Sequence, residues 1–189
     1  GHTRLSIVDI IGSNQPLHSD GGCVLIVNGE IYNHLQIRDE ERGFVFRTKG
    51  DGESILAAYH SRTDDFSWVQ RLNGIWAFAL WDSKRELLFL CRDQLGVKPL
   101  VRTITDEGTL LFGSEIKCFR AHPAHTPVLD VEALVARIAY EYPLDETTLF
   151  QDVHSVQAGT IEMWKLNERG AKLEAASFFF AAAPSLVLG

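Results

Sequence analysis

The chain has 189 residues, 46% of them hydrophobic and 23% charged, an ordinary globular composition that excludes disordered and fibrous classes. Its net charge of −7 argues against nucleic acid or an anionic membrane as the principal partner, since both need a basic face. No apolar run approaches the roughly 18 residues of a membrane span, and Gly1 to Asp9 lacks the basic-then-apolar layout of a secretory signal. Cys23, Cys91 and Cys118 form no CxxC pair, which disfavours a disulfide framework and fits a reducing, cytoplasmic setting. Met163 is the only methionine, so the expectation is a processed end or a piece of a longer protein.

In chain order, most of the sequence reads as strands. Cys23 to Val27 is a continuous apolar run after Gly21 and Gly22, which suits a buried strand. Asn28-Gly29-Glu30 is expected to end it, because Asn and Gly both tolerate positive φ. An amphipathic helix is predicted from Ile31 to Glu41, with Ile31 and Leu35 on one face and Gly43 terminating it. Phe44 to Thr48 returns to strand composition. Gly50 to Glu53 reads as a turn into a second helix bearing Ile55, Leu56 and Tyr59, with Asp51 as its N-cap.

Two hairpins follow. Ile75–Trp81 and Glu86–Cys91 flank the polar loop Asp82–Arg85, and Leu100–Thr105 and Thr109–Phe112 flank Asp106–Gly108. Such short connections require antiparallel pairing, so the expected fold is α+β, a mainly antiparallel core with a few helices packed on it. Beyond about residue 120, Ala121 to Pro127 reads as an extended connector. Asp130 then caps a short helix with Val131, Leu134, Val135 and Ile138 on one face, and Ile161 to Leu166 alternates as a strand. The apolar stretch from Ser177 to Gly189 follows neither period.

General catalytic signatures such as GxxxxGK[ST], GxGxxG, HExxH and GxSxG are absent. His122 and His125 lie beside prolines without a supporting Cys or carboxylate pair, so no metal site is expected. Three segments make chemical sense together. Asn28 and Gly29 after a buried strand suit an oxyanion, through an amide N–H and a closely approached backbone N–H. Arg4 before an apolar strand suits a carboxylate clamp. Glu30 and Asp51 suit a ligand ammonium. By themselves these residues read first as a strand-ending turn, a surface cation and a helix cap.

Several segments also occur in a specific order: Gly1–Asp9, Gln15-Pro16, Asn28–Asn33, Asp51 with Glu53, Arg71–Asp82, Arg92–Pro99 and Ser114–Lys117. This set resembles the glutaminase domain of glutamine-hydrolysing asparagine synthetases, in the class II glutamine amidotransferase family. The resemblance is strong over residues 1–120, taken as the amidotransferase type-2 domain. It weakens over 121–189, taken as the end of that domain and a linker towards a synthetase domain. It implies the N-terminal-nucleophile fold, an αββα sandwich of two mainly antiparallel sheets, here expected to be incomplete at the N-terminus.

The resemblance also implies an activity, the hydrolysis of glutamine to glutamate and ammonia by an N-terminal cysteine thiolate. Ammonia would pass to an ATP-dependent domain that amidates aspartate. Asn28 and Gly29 would match the oxyanion hole; Arg4, Leu5, Ser6, Ile7, Val8, Glu30 and Asp51 would bind substrate. No cofactor is implied in this domain, ATP and magnesium belonging to the synthetase domain. Glutamine and that domain are the implied partners, a homodimer is compatible, and neither nucleic acid nor membrane is implied. The chain departs from the pattern in carrying no segment with the N-terminal cysteine, in Gly52 where a larger residue is usual, and in Val101-Arg102 where aromatics are common. The polypeptide alone is therefore expected to be inactive. The alternative is a non-catalytic scaffold beside an amide-forming protein of β-lactam synthetase type; retention of Arg4, Asn28, Glu30 and Asp51 favours the enzyme.

Overall fold

The computed structural model describes residues 9, 12–61, 65–141, 146–167 and 170–178. Among these residues, nine strands form two antiparallel sheets. The larger has the order β1-β2-β3-β4-β8-β9, from Leu17–His18, Cys23–Ile31, Gly74–Asp82, Leu87–Arg92, Thr160–Asn167 and Gly170–Phe178. The smaller, β6-β5-β7, comes from Leu110–Gly113, Val101–Ile104 and His154–Ser155. Helices α1 (His34–Glu40), α2 (Glu53–Ser61) and α3 (Ser67–Gln70) belong to the first half of the chain, and α4 (Val131–Tyr140) to the second.

The strand period of two distributes the large sheet's side chains between two cores. Leu25, Val27, Phe78, Leu80, Phe89, Cys91 and Ile161 face α2 and α3, where Trp68, Tyr59 and Ile55 complete a buried cluster. Trp68 stacks at a tilt on Phe78, and Tyr59 meets Trp68 edge-on. The alternate residues Ala77, Ala79, Leu88, Leu90 and Trp164 face the smaller sheet and pack with Leu100, Leu110 and Phe112. A third cluster, Val101, Phe119 and Val153 with Leu111 and Ile116, places the 3-10 helix Ile116–Ala121 against the smaller sheet. This is the layered, mainly antiparallel α+β arrangement that the hairpins imply.

Both predicted hairpins form: β3 pairs antiparallel with β4, and β5 with β6. Asp130 caps α4 as expected, accepting a bond from the Ala133 N–H at 2.9 Å. Four expectations need correction. Strand β2 runs through Asn28-Gly29-Glu30 to Ile31 instead of stopping at Asn28, because β3 continues to pair with it as far as Gly74. Helix α1 accordingly starts at His34, with Ile37 buried and Leu35 exposed. Phe44 to Thr48 is not a strand, since the N–H groups of Arg47 and Thr48 donate to the buried Glu53 carboxylate in place of a neighbouring strand. The Asp51 carboxylate does not cap α2; it crosses to β2. Strand β9 went unforeseen, and residues 179–189 lie outside the described residues.

The two sheets are tied by a buried ion pair. Arg102 Nε on β5 donates to Glu162 on β8 at 2.7 and 2.9 Å, and the Trp164 indole N–H donates to the same carboxylate at 2.9 Å. Burial pushes the Glu162 carboxyl above its usual range, while Arg102 and the indole oppose it. Arg102→Ala would leave that carboxylate buried and unpaired, at a cost of about 3–5 kcal/mol. Its folded pKa would then rise further above the unfolded value, so the native state would bind more protons and stability would fall as pH rises. Urea unfolding of the variant should show partial recovery on acidification from pH 7.5 to 5. An unchanged stability would contradict this role for the pair.

Candidate active site

The candidate residues gather where β2 and β3 end together. Gly29 lies opposite Trp76, Glu30 opposite Ile75 and Ile31 opposite Gly74. The two backbones run so close that a Cβ on Gly29 would stand 2.0 Å from the Ile75 carbonyl oxygen. A Cβ on Gly74 would stand 2.0 Å from the Glu30 carbonyl oxygen. Gly29 also has φ +138°, a conformation that side chains disfavour. Only glycine fits at either position without moving backbone.

Antiparallel pairing then decides where the polar groups of β2 point. The Trp76 N–H and carbonyl both bond Asp93, on the β4 side, at 3.2 and 2.8 Å. They are therefore turned away from Gly29, and the Gly29–Trp76 pair is of the non-hydrogen-bonded kind. By the two-residue period, the N–H groups of Val27, Gly29 and Ile31 share the opposite edge of β2. Val27 is satisfied there by the side chain of Gln15, which accepts from its N–H at 2.7 Å and donates to its carbonyl at 2.8 Å. The ladder of β1 stops at Leu17, opposite Leu25, and the Gln15 side chain takes over at Val27. The Ile31 N–H is satisfied by Asp51 Oδ2 at 2.8 Å. Gly29 sits between these two braces, its backbone facing the edge where the ladder has ended.

Asn28 faces the other way from the helices, on the side of the large sheet that meets the small one. Its neighbour across the ladder is Ala77, whose short side chain leaves the carboxamide room. Asn28 Nδ2 donates to Ser114 Oγ, just after β6, at 3.5 Å. Glu30 is half-buried, and its carboxylate takes no hydrogen bond or ion pair from the other described residues. The adjoining loops are firmly held. Asn33 bridges to the Arg71 carbonyl and the Asn73 N–H, and Tyr32 N–H donates to the Asn73 carbonyl at 2.7 Å. Arg71 ion-pairs with Glu40 and Glu41 at 2.8 and 2.6 Å. Buried Asp93 accepts the N–H groups of Leu95, Val97 and Lys98, shaping the loop beyond β4.

Thus Asn28, Gly29, Glu30 and Asp51 come together as the sequence suggests. Arg4, Leu5, Ser6, Ile7 and Val8 lie outside the described residues. Gln15, Asp93 and Ser114 were missed as builders of the site, although each sits in a segment that carries the family resemblance. Two thiols are far from reactive. Cys91 is fully buried and burial holds its thiol well above the ordinary range; burial and then Asp82 raise Cys23. Among the described residues, no three His, Cys, Asp or Glu side chains are placed to hold a metal, and no helix is long and apolar enough to cross a membrane.

Residues 1–175 match the family model described as a glutamine amidotransferase domain. The chain belongs to the glutamine amidotransferase domain family. It is 41% identical over 170 residues to a putative glutamine-hydrolysing asparagine synthetase of Mycobacterium bovis, covering 84% of this chain and 26% of that protein. It is 44% identical over 142 residues to the glutamine-hydrolysing asparagine synthetase 3 of Bacillus subtilis, covering 72% of this chain and 22% of that one. Among solved structures, the glutamine phosphoribosylpyrophosphate amidotransferase of B. subtilis superposes with a TM-score of 0.56. That match has 20% identity and covers 85% of this chain and 31% of the other, which bears on the fold alone. The chain spans about a quarter of the length of the curated relatives it matches.

A methyl group at Gly29 should break the end of the β2–β3 ladder. Gly29→Ala is expected to destabilise the protein by about 1–3 kcal/mol, as overpacking does. Gly43→Ala, where nothing lies within 4 Å of the added carbon, is the control and should leave the melting temperature within a degree or two of wild type. Equal melting temperatures for the two variants would refute the close approach.

Proposed function

We propose that this chain is the glutaminase part of a glutamine-hydrolysing asparagine synthetase. The carrying observation is the geometry at the end of β2: a side-chain amide from Asn28 on one face and the Gly29 backbone on the braced edge. Family membership and the names of the relatives support the reading, and the chemistry follows from it. A cysteine thiolate attacks Cδ of the glutamine side-chain amide, forming a carbon–sulfur bond while the carbonyl electron pair moves onto oxygen. Asn28 Nδ2–H and the Gly29 N–H donate to that oxyanion, and being held in advance they need little reorganisation. Collapse of the intermediate breaks the carbon–nitrogen bond. The nitrogen leaves as ammonia after gaining a proton, and water then hydrolyses the thioester to glutamate and free thiol.

Substrate recognition uses opposite charges at the two ends of the amino-acid head group. Arg4 holds the α-carboxylate in a fork, and Glu30 and Asp51 hold the α-ammonium. Glu30 is available because no described residue neutralises it. Asp51 reaches the same place because one of its oxygens is fixed on the Ile31 N–H. Ammonia then serves an ATP-dependent domain that amidates aspartate, with ATP and magnesium bound there and no cofactor in this domain. The protein works in the cytoplasm.

In the full-length protein, Arg4→Ala is expected to raise KM for glutamine at least tenfold. Asparagine formation driven by ammonia should remain within twofold of wild type. Equal losses on both nitrogen sources would contradict a clamp confined to glutamine. The 189-residue polypeptide taken alone should release no ammonia from glutamine, because Cys23 and Cys91 are buried with raised thiol pKa values. Turnover by that polypeptide that disappears in Cys118→Ala would overturn this expectation. A full-length protein that binds but never hydrolyses glutamine would favour the scaffold reading.

A further inference from the structure

The Asn28 carboxamide is the one element of the proposed oxyanion site that is free to turn. A backbone N–H is fixed by its strand, whereas a terminal amide rotates about a broad torsion. Its neighbour on β3 is Ala77, too short to hold it. Among the described residues, the contact that holds it comes from just beyond β6: Asn28 Nδ2 donates to Ser114 Oγ at 3.5 Å.

Ser114 is itself well placed for this. It follows β6 directly, where Gly113 pairs with Val101 of β5. Next comes a turn closed by the Cys118 N–H on the Glu115 carbonyl at 3.1 Å. The 3-10 helix beyond it is anchored through buried Phe119. The serine backbone is therefore set by the smaller sheet, and its hydroxyl reaches across to the larger one. A carboxamide nitrogen carries two N–H groups in a plane. With one directed at Ser114 by this long hydrogen bond, the plane has a preferred orientation and the second N–H a preferred direction.

We infer that Ser114 is a positioning residue for glutamine hydrolysis. Resting on the function proposed above, its hydroxyl holds the Asn28 carboxamide so that the free N–H meets the developing oxyanion. It touches neither substrate nor nucleophile and works wholly through Asn28. A preorganised donor favours the transition state over bound substrate, so its loss should appear in kcat and spare KM.

The test uses the full-length protein and glutamate release from glutamine, with four variants. Removing an oxyanion donor costs roughly 100- to 1000-fold in kcat, the loss expected of Asn28→Ala. Ser114→Ala, which only frees that donor, should lower kcat by about tenfold with KM within twofold and an unchanged melting temperature. Ser114→Thr, which keeps the hydroxyl, should restore most of the rate. The double variant Asn28→Ala/Ser114→Ala should be no slower than Asn28→Ala alone, since a residue acting through Asn28 has nothing further to lose. A wild-type rate in Ser114→Ala, a defect confined to KM, failure of threonine to rescue, or multiplied losses in the double variant would each overturn the inference. If the unsubstituted protein releases no glutamate, the functional reading falls and this inference with it. If it does and Asn28→Ala is slow, any of the preceding outcomes removes Ser114 alone.

Discussion

The structure around the site depends on how closely the β2 and β3 backbones approach at their shared end. With a carbonyl oxygen 2.0 Å from where a Cβ would stand at both Gly29 and Gly74, no side chain larger than hydrogen is accommodated there. That contact carries β2 through Asn28-Gly29-Glu30 as paired strand, so the tripeptide inherits the strict alternation of a ladder. Asn28 and Glu30 fall on one face, and Gly29 has its polar groups on the edge between Gln15 and Asp51. A loop with the same residues would present them without that order. The two braces then matter as much as the glycines, since each satisfies a neighbouring N–H of β2 on either side of Gly29.

Much of this was legible in the sequence where local rules act alone. The hairpins at Asp82–Arg85 and Asp106–Gly108, the cap at Asp130 and the core stripe of α2 all follow from short-range chemistry, and the structure has them. What failed was decided by long-range partners. Asn-Gly reads as a turn because both residues tolerate positive φ, and only the presence of β3 makes it strand. Asp51 beside a helix start reads as a cap, yet the Ile31 N–H, 20 residues earlier, takes its carboxylate. Phe44–Thr48 has strand composition, but Glu53 intercepts its donors. Local propensity was right in each case about what the residue could do, and wrong about which partner would reach it first.

The candidate site shows the same division. Asn28, Gly29, Glu30 and Asp51 stand out through the chemistry their types allow, and the family resemblance groups them. Ser114, Asp93 and Gln15 were invisible by type, because a serine, an aspartate or a glutamine in a strand-rich sequence has many roles. Their work is geometric. Gln15 satisfies the edge of β2 beyond β1, Asp93 turns the Trp76 backbone away from Gly29, and Ser114 joins the two layers at the carboxamide. The buried Arg102–Glu162 pair makes another such connection between the sheets. Coupling between the layers is thus polar as well as apolar, and one of the polar contacts is made by the candidate oxyanion donor.

The central claim is that this fold cleaves the side-chain amide of glutamine. The most direct measurement is to incubate the full-length protein with glutamine labelled with nitrogen-15 at the amide and to follow the label by NMR. The account predicts that labelled ammonium and glutamate appear in equal amounts when no acceptor is present. A folded protein that leaves the amide label on glutamine indefinitely would contradict it.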